Sequence, residues 1–244
     1  MKEVDIVIIS NAKDEALLNE TQRCIESLYE SEDASIIQFN VFVVESNKDV
    51  NYDTYYNVKT IYTELPFGYH RYLNIGRKAG NAEYVVLCNN DLTFDKNWAS
   101  IALDVMEKRN IWSAGCCNPN KKNHIAYIES GKEYEDGWTV SNHITGWCIF
   151  QKREIYEHIG DLDEDFEFWY CDNDYSRTLQ EHSFYHTLII GSRVFHHNDT
   201  LGVTVKNEED EDRKTYLTSG CEKTYQNKWG PAGWMTLTAL TKKD

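Results

Sequence analysis

The sequence predicts an α/β protein with a mainly parallel central sheet flanked by helices. In its first half, short apolar runs alternate with stretches of helical periodicity, which is the pattern of consecutive βαβ units. The chain has 244 residues and is 41% hydrophobic, so it can bury one sizeable core. No Pro/Ser-rich linker and no internal repeat divides it. We therefore expect a single domain over residues 1–244, in which a smaller, mixed second half shares the core of the first.

The individual elements follow from the spacing of the apolar residues. A short apolar run bounded by polar residues indicates a buried strand, and apolar residues three or four positions apart indicate a helix. In the first half these patterns predict strands near 4–9, 39–45, 58–62 and 84–88, and helices from about 15 to 30, from about 70 to 79 and after Asn97. In the second half they predict strand-like segments at about 123–129 and 144–150, a helix near 152–158, a further helix after an acidic aromatic stretch, and a strand near 187–195.

Charge and composition limit the binding partners and the cellular compartment that are expected for the protein. The formal net charge of -15 repels a nucleic-acid backbone or an anionic membrane at long range, which disfavours nucleic acid without excluding a local basic groove. No apolar run reaches the ~20 residues of a membrane span, and the run at 4–9 is too short for a secretory signal. The seven cysteines form no CxxC pair, so we expect reduced core residues. These features predict a cytoplasmic protein.

The most informative segment joins an apolar strand to a polar triplet. Residues 84–88 read as a buried strand, and Asn89, Asn90 and Asp91 follow it directly. Ligands collect at the carboxyl ends of strands in open α/β sheets, and Mg²⁺ or Mn²⁺ needs only one or two protein oxygens when phosphate and water supply the rest. Asp91 is therefore a candidate metal ligand. The alternative is a simple turn, because Asn and Asp tolerate left-handed backbone.

The surroundings of this triplet carry a family resemblance. In the stretch 66–76, Asn74 and Gly76 stand at matching positions, and the passage from 57 to 98 resembles the family 2 glycosyltransferases of the A-type (GT-A) fold. The resemblance implies a nucleotide-sugar-binding half at 1–95 and an acceptor-side, catalytic half at 96–244. The sequence departs from the family pattern at Asn89, which replaces the first acid of a DxD-like triplet. It departs again at 69–72, where bulky residues follow the glycine of the family phrase.

The resemblance also implies which residues bind the nucleotide sugar. Ser10 and Asn11 end the first strand beneath the nucleoside, and Glu45 ends the second strand, where the family places an acid against the base. A carboxylate there can accept a hydrogen bond from a base N–H, although an ordinary exposed loop acid fits the sequence equally well. The implied set is completed by Asn74, Asn89 and Asn90.

On the acceptor side, the segment 145–150 and the run 168–177 resemble the family's catalytic passage, with Cys171 in place of the usual Glu. The resemblance implies that Asp172 is the general base, and an acceptor hydroxyl does need to lose its proton as it attacks. The alternative is that Asp172 or Asp174 caps the helix that begins there. A bracing ion pair between Asp174 and Arg177 is equally open.

After the last predicted strand come His196 and His197, at a place where family members often carry a histidine. Imidazole can complete a metal shell or contact a diphosphate, so the resemblance implies that role for His196, with His197 as the spare. A structural or solvent-facing histidine is the alternative.

The implied reaction is a single displacement with inversion at the anomeric carbon. It needs a nucleoside-diphosphate sugar, a divalent cation (Mn²⁺ or Mg²⁺) and an acceptor, for which a glycan or glycoconjugate is favoured. Two other classes stay open. A nucleotidyltransferase is weakened by the lack of a Gly-rich basic phosphate loop. A non-catalytic sugar-nucleotide-binding protein of the same fold is kept open by Asn89 and Cys171, each of which replaces an expected acid.

Overall fold

The computed structural model describes residues 1–51, 54–197 and 210–230. The strands of these segments are β1 (Lys2–Ser10), β2 (Ile37–Glu45), β3 (Lys59–Ile61), β4 (Tyr84–Cys88), β5 (Leu92–Phe94), β6 (Ser113–Cys117), β7 (Tyr134–Asp136), β8 (Cys148–Lys152) and β9 (His186–His196). The helices are α1 (Glu15–Ser31), α2 (Tyr69–Lys78), α3 (Trp98–Arg109), α4 (Lys122–Glu129), α5 (Ile155–Ile159), α6 (Cys171–Glu181), α7 (Glu211–Thr215) and α8 (Cys221–Trp229), with a π-helical turn (Tyr216–Gly220) between the last two.

In the described part of the chain these nine strands form one sheet in the order β3-β2-β1-β4-β8-β6-β9-β5, and β7 pairs with the far side of β9. The first four strands in this order are parallel to one another. The strand β8 then pairs antiparallel with both β4 and β6, and β6 pairs parallel with β9. The predicted α/β fold with a parallel first half and a mixed second half is confirmed.

The apolar runs of the first half form strands because both faces of these central strands are covered. Side chains of β1 alternate between two cores: Ile6 and Ile8 face the layer of α1 and α3, whereas Val7 faces the layer of α2 and α6. Trp98 at the start of α3 is fully buried in the first layer and packs against Phe94 and other rings. With both faces covered, only the strand ends and the connecting loops are left to bind a ligand.

The two halves of the chain are joined through β4 and β8 and through a buried carboxylate. Asp5 on β1 is fully buried and accepts hydrogen bonds from the Arg153 guanidinium, the Ala82 amide N–H at 2.9 Å and Asn40 Nδ2 at 3.1 Å. Arg153 in turn donates to the carbonyls of Ala82 and Arg77. A residue of the second half therefore satisfies a buried charge in the first.

Two predicted elements differ from the structure. The segment predicted as strand-like at 123–129 is the helix α4, because His124, Tyr127 and Ile128 lie on one helical face that packs toward β9 and the loop before β8. The segment predicted as a strand from 144 to 150 enters the sheet only at Cys148; the residues before it form a loop.

All seven cysteines lie in the described segments, where they are buried and free, as predicted. None of the helices in these segments combines the length and the apolar composition that crossing a membrane requires. The acidic run at 208–212 begins outside the described residues; within them, Asp210 caps α7 by accepting hydrogen bonds from the amides of Asp212 and Arg213.

Candidate active site

The polar triplet after β4 meets the end of β9. His196 Nε2 lies 3.2 Å from Asp91 Oδ2, and the His197 amide N–H donates to the Asp91 carbonyl at 3.1 Å. The His196 ring stacks on Trp147, with 5.6 Å between ring centroids and an interplanar angle of 11°. His197 points elsewhere, since its Nε2 contacts Thr93 Oγ1 at 2.6 Å. Of the two adjacent histidines, only His196 faces the carboxylate.

The second carboxylate oxygen of Asp91 is the chemically informative atom of this pair. Asp91 Oδ1 is buried and has no hydrogen-bond partner. Leaving a buried acceptor unsatisfied costs about 1–3 kcal/mol, so such an atom in a native fold calls for a missing partner. A divalent cation fits the need, because carboxylate oxygen suits Mg²⁺ and Mn²⁺ and imidazole can join the shell. Within the described segments no three His, Cys, Asp or Glu side chains are grouped as a metal site, so a substrate would have to supply further ligands.

Tyr69, the first residue of α2, links the triplet to the loop before β8. Its hydroxyl lies 2.9 Å from Asn89 Oδ1 and 2.8 Å from the Gly146 carbonyl oxygen. A phenol has one proton to donate, so both contacts are satisfied when the Asn89 amide is turned to donate to the phenol and the phenol donates to Gly146. Burial and the neighbouring Asp172 raise the pKa of Tyr69 well above its ordinary value, which keeps it a neutral donor.

Asp172 lies in the first turn of α6 and turns toward the same loop. Its Oδ2 accepts a hydrogen bond from the Gly146 amide N–H at 3.1 Å. A Cβ atom at position 146 would lie 2.0 Å from Asp172 Oδ1, so only glycine allows the carboxylate to approach this closely. The N-cap position of α6 belongs to Tyr170, which makes no side-chain cap bond. Asp172 therefore does not cap the helix.

The environment of Asp172 makes its carboxylate more basic than that of an ordinary aspartate. Burial raises the pKa of Asp172, and the Gly146 N–H and the positive charge of Lys121 partly oppose that rise. A carboxylate whose pKa is raised binds a proton more tightly than an ordinary aspartate does, which suits a proton acceptor.

Asp174, two residues further along α6, makes different contacts. It is 2% exposed, and its Oδ1 accepts from Lys228 Nζ and from Trp229 Nε1, each at 2.8 Å. The bracing pair between Asp174 and Arg177 that the sequence left open is not formed; Arg177 pairs with Glu181 instead. Asp174 therefore holds α8 against α6.

The residues predicted for the nucleoside lie at the ends of β1 and β2. Ser10 Oγ contacts Thr21 Oγ1 at 3.0 Å and the Tyr55 hydroxyl at 3.4 Å, and Asn11 is exposed beside it. Glu45 is 1% exposed, so it is not an exposed loop acid. It accepts hydrogen bonds from the amides of Ala12 (3.1 Å) and Asn47 (2.8 Å) and from the Tyr55 hydroxyl (3.0 Å). As it stands, the Glu45 carboxylate holds the two strand ends together.

Two of the predicted asparagines bond within the protein. Asn74 is 1% exposed, and its amide donates to the Leu162 carbonyl at 2.8 Å and accepts from the Leu162 N–H at 3.1 Å. This arrangement fixes α2 to the loop after α5 rather than presenting the amide to a ligand. Asn90 Nδ2 donates to Thr21 Oγ1 at 2.8 Å, so it connects the triplet to α1 and through Thr21 to Ser10.

Sequence reasoning missed three contributors to this site: Tyr69, Gly146 as the partner of Asp172, and Lys121. Tyr69 stands out in the sequence only as a bulky residue where the family pattern has a small one. Lys121 and Gly146 carry no comparable signal, because their relation to Asp172 is formed by segments 26 or more positions apart.

Comparison with known proteins defines the fold that carries this site. No protein-family model and no curated protein sequence matches the chain. Among solved structures it is similar to residues 1–349 of TarS from S. aureus, with a TM-score of 0.59 and 14% identity, covering 98% of this chain and 76% of that one. It is similar to GalNAc-T7 in a crystal structure with UDP, GalNAc and Mn²⁺, with a TM-score of 0.63 and 15% identity, covering 80% of this chain and 44% of that one.

A longer TarS structure gives a TM-score of 0.58 and 12% identity, covering 93% of this chain and 44% of that one. The chain thus spans less than half the length of two of these three structures. Together they show that the protein has the GT-A glycosyltransferase fold.

Proposed function

We propose that the protein is a metal-dependent, inverting glycosyltransferase of the family 2 type, which moves a sugar from a nucleoside-diphosphate donor to an acceptor hydroxyl. The observation that carries the proposal is the unsatisfied, buried Asp91 Oδ1 beside His196, in the same site as a second carboxylate of raised pKa, Asp172. One carboxylate suits a cation and the other suits a proton. The structure of GalNAc-T7, which has a similar fold and contains UDP, GalNAc and Mn²⁺, supports the cation in this proposal.

In this proposal Asp91 and His196 hold Mn²⁺ or Mg²⁺, which when bound neutralises charge on the departing diphosphate. Ser10, Asn11 and Glu45 line the nucleoside end of the donor site, with Asn89 and Asn90 beside the diphosphate. Asn74 supports the site from α2. The assignments at Ser10, Asn11, Glu45 and the triplet rest on their position at the edge of the sheet where β1, β2 and β4 end. That of His196 rests on its contact with Asp91, and that of Asn74 on the family resemblance.

Asp172 acts on the acceptor. Its carboxylate removes the proton from the acceptor hydroxyl as the oxygen attacks the anomeric carbon, and the bond to the diphosphate oxygen breaks on the opposite face of the sugar. The Gly146 N–H holds the carboxylate in place during this step, since that contact fixes one of its two oxygens.

A glycan or glycoconjugate is the proposed acceptor, because it offers the hydroxyl that Asp172 would deprotonate. We place the reaction in the cytoplasm, where the seven free, buried cysteines stay reduced. We assign donor binding to residues 1–95 and acceptor binding and catalysis to residues 96–244 of a single domain.

The proposal is tested by the linkage between metal and nucleotide. UDP, GDP and dTDP are titrated into the protein by calorimetry with Mn²⁺, with Mg²⁺ and with chelator. At least one nucleotide should bind about tenfold or more tightly with metal, a difference of about 1.4 kcal/mol. Asp91→Ala should abolish that difference. Asp104→Ala removes an exposed carboxylate on α3 and serves as the control for charge.

Equal affinity in metal and chelator, or an undiminished metal effect in Asp91→Ala, would exclude the proposed role of Asp91. A protein that binds the nucleotide with metal but releases no nucleoside diphosphate from any nucleotide sugar would instead be the non-catalytic binding protein.

A further inference from the structure

The loop of residues 139–147 carries three backbone contacts on which the geometry of the candidate site depends. The Gly146 N–H donates to Asp172, the Gly146 carbonyl accepts from Tyr69, and the Trp147 carbonyl accepts from the Asn89 N–H at 2.9 Å. A shift of this loop would therefore move the carboxylate of α6 and the triplet after β4 together. The residues that hold this loop in place need not be those that bind the substrate.

Two imidazoles from opposite sides contact consecutive carbonyls of this loop. His124 on α4 places Nε2 2.8 Å from the Asn142 carbonyl oxygen. His186 at the start of β9 places Nε2 3.1 Å from the His143 carbonyl oxygen. Both side chains are fully buried, and neither has a role in the mechanism proposed above.

The tautomer of His124 is determined by its other nitrogen. The Asn118 amide N–H donates to His124 Nδ1 at 2.8 Å, so Nδ1 must be the acceptor. The proton of the neutral ring is then on Nε2, which donates to the Asn142 carbonyl. Burial lowers the pKa of His124 to about 4, which keeps the ring neutral at physiological pH.

His186 is determined in the same way by a directed chain of hydrogen bonds. A carbonyl can only accept, so His186 Nε2 carries the proton and Nδ1 accepts from Ser113 Oγ at 2.8 Å. Ser113 Oγ then accepts from the Tyr175 hydroxyl at 2.7 Å, which itself accepts from Gln151 Nε2 at 2.6 Å. Every donor in this buried chain has one acceptor, and the chain ends on the loop.

Glycines make room for these contacts. A Cβ atom at Gly115 would lie 2.6 Å from the His143 carbonyl oxygen and 3.0 Å from His186 Nε2, where it would separate the two. A Cβ atom at Gly137 would lie 2.4 Å from the His143 ring. The strand β6 and the segment before the loop are thus shaped to let the loop reach His186.

We propose that His124 and His186 are positioning residues, which act as two fixed neutral donors that hold the 139–147 loop and, through Gly146, set the position of Asp172. The catalytic consequence rests on the function proposed above, whereas the effect on the loop does not. Neither imidazole contacts the substrate in this scheme.

The test compares two substitutions of His186 that each keep one nitrogen. In His186→Gln the side-chain amide nitrogen replaces Nε2 and retains the donor to the loop; in His186→Asn the amide oxygen replaces Nδ1 and retains only the acceptor for Ser113. Protection of the Gly146 amide from hydrogen exchange, measured by NMR, reports on the loop directly. We expect His186→Asn to lose about tenfold or more of this protection and His186→Gln to stay within about threefold of the parent protein.

The kinetic arm uses the same pair. A misplacement of a catalytic group by about 1 Å can lower the reaction rate about 10²-fold. We therefore expect kcat to fall about tenfold or more in His186→Asn, with nucleotide affinity unchanged. In His186→Gln most of this loss of kcat should be recovered. Thermal unfolding shows whether both variants are folded. If His186→Asn does not fold, the matched pair His124→Asn and His124→Gln on α4 gives the same comparison. In His124, too, Nδ1 accepts a hydrogen bond and Nε2 donates one to the loop.

Unchanged Gly146 protection in the folded Asn variants, or equal loss in the Asn and Gln variants, would overturn the proposal. If the parent protein transfers no sugar at all, the function proposed above fails, and the Gly146 measurement still decides whether the two histidines hold the loop.

Discussion

The neighbouring aspartates Asp172 and Asp174 have different surroundings in the structure. An N-capping aspartate directs a carboxylate oxygen at the first amides of its own helix, as Asp14 does in α1, but Asp172 Oδ2 is directed at Gly146 of a loop 26 positions earlier in the chain. The carboxylate of Asp174, two residues further on, accepts hydrogen bonds from Lys228 and Trp229. The sequence presents the two aspartates as near equals, and the structure gives each a different partner.

Replacing Asp172 by Asn should leave donor binding intact and lower transfer by about 10²-fold or more. The amide has nearly the same size and can still accept from the Gly146 N–H, but it cannot take the proton of the acceptor hydroxyl. The measurement is kcat for transfer, together with nucleotide affinity by calorimetry. Near-normal turnover in Asp172→Asn would show that another group is the base.

The pH dependence of transfer should report on Asp172 and Lys121. The base must be ionised, so kcat/KM should fall as the pH drops below the pKa of Asp172, and because burial raises that pKa the fall should begin above the ordinary aspartate range. The charge of Lys121 lowers the pKa of Asp172. Lys121→Met should therefore move the acidic limb to higher pH.

Lys121→Arg keeps the positive charge and should leave the acidic limb where it is in the parent protein. A limb that does not move in Lys121→Met would mean that the titrating group is not Asp172.

At the scale of elements, whether a helix or strand is predicted correctly from the sequence depends on how that element is buried. The strand at 84–88 is apolar throughout because it is covered on both faces, and it is assigned correctly for that reason. The helix α4 was wrongly predicted as a strand, since Ile125 and Ile128 in a short polar segment favour either structure. The packing of His124 against the 139–147 loop, and of Tyr127 and Ile128 toward β9, decides for the helix, and these contacts are made by tertiary structure.

The same reasoning explains which parts of the site were predictable. Asp91 and His196 follow strands, so their meeting at the sheet edge could be expected from the order of elements. Tyr69 and Gly146 belong to the site only through hydrogen bonds between segments 20 to 77 positions apart, and no local pattern encodes them.

The docking of α8 onto α6 gives a prediction at this scale. Asp174 is almost fully buried and bonds both Lys228 and Trp229, so Asp174→Ala should lower the free energy of unfolding by about 2 kcal/mol or more. Asp163→Ala should cost less, because Lys228 retains Asp174 and because the Asp163 side chain is 29% exposed, against 3% for that of Asp174. Chemical denaturation measures both. An equal cost for the two variants would contradict the assignment of Asp174 as the main anchor of α8.

At the scale of the whole molecule, the sheet order places the chain's two halves in one structure. The strand β4 of the first half pairs with β8 of the second along five residues, from Tyr84 with Lys152 to Cys88 with Cys148. The candidate site lies where the halves meet, with Asp91 in one and Asp172 and His196 in the other. A transferase that binds a donor on one side and an acceptor on the other needs the halves to keep a fixed relation, because in-line attack tolerates little misplacement.

Asp5 allows this relation to be tested. Its buried carboxylate joins β1 and β2 of the first half to Arg153 of the second, so Asp5→Ala leaves Arg153 without its charged partner and should cost about 3 kcal/mol. If the two halves unfold as one cooperative unit, Asp5→Ala must lower the free energy of unfolding equally in both halves. Native-state hydrogen exchange under increasing denaturant, followed at the amides of β2 and of β9, should give one unfolding free energy for the parent protein and one lower value, again shared, for Asp5→Ala. Glu3→Ala on the exposed end of β1 should change neither. Separate values for β2 and β9, with only the first lowered by Asp5→Ala, would instead mean that residues 1–95 unfold independently of the rest and that the chain comprises two domains.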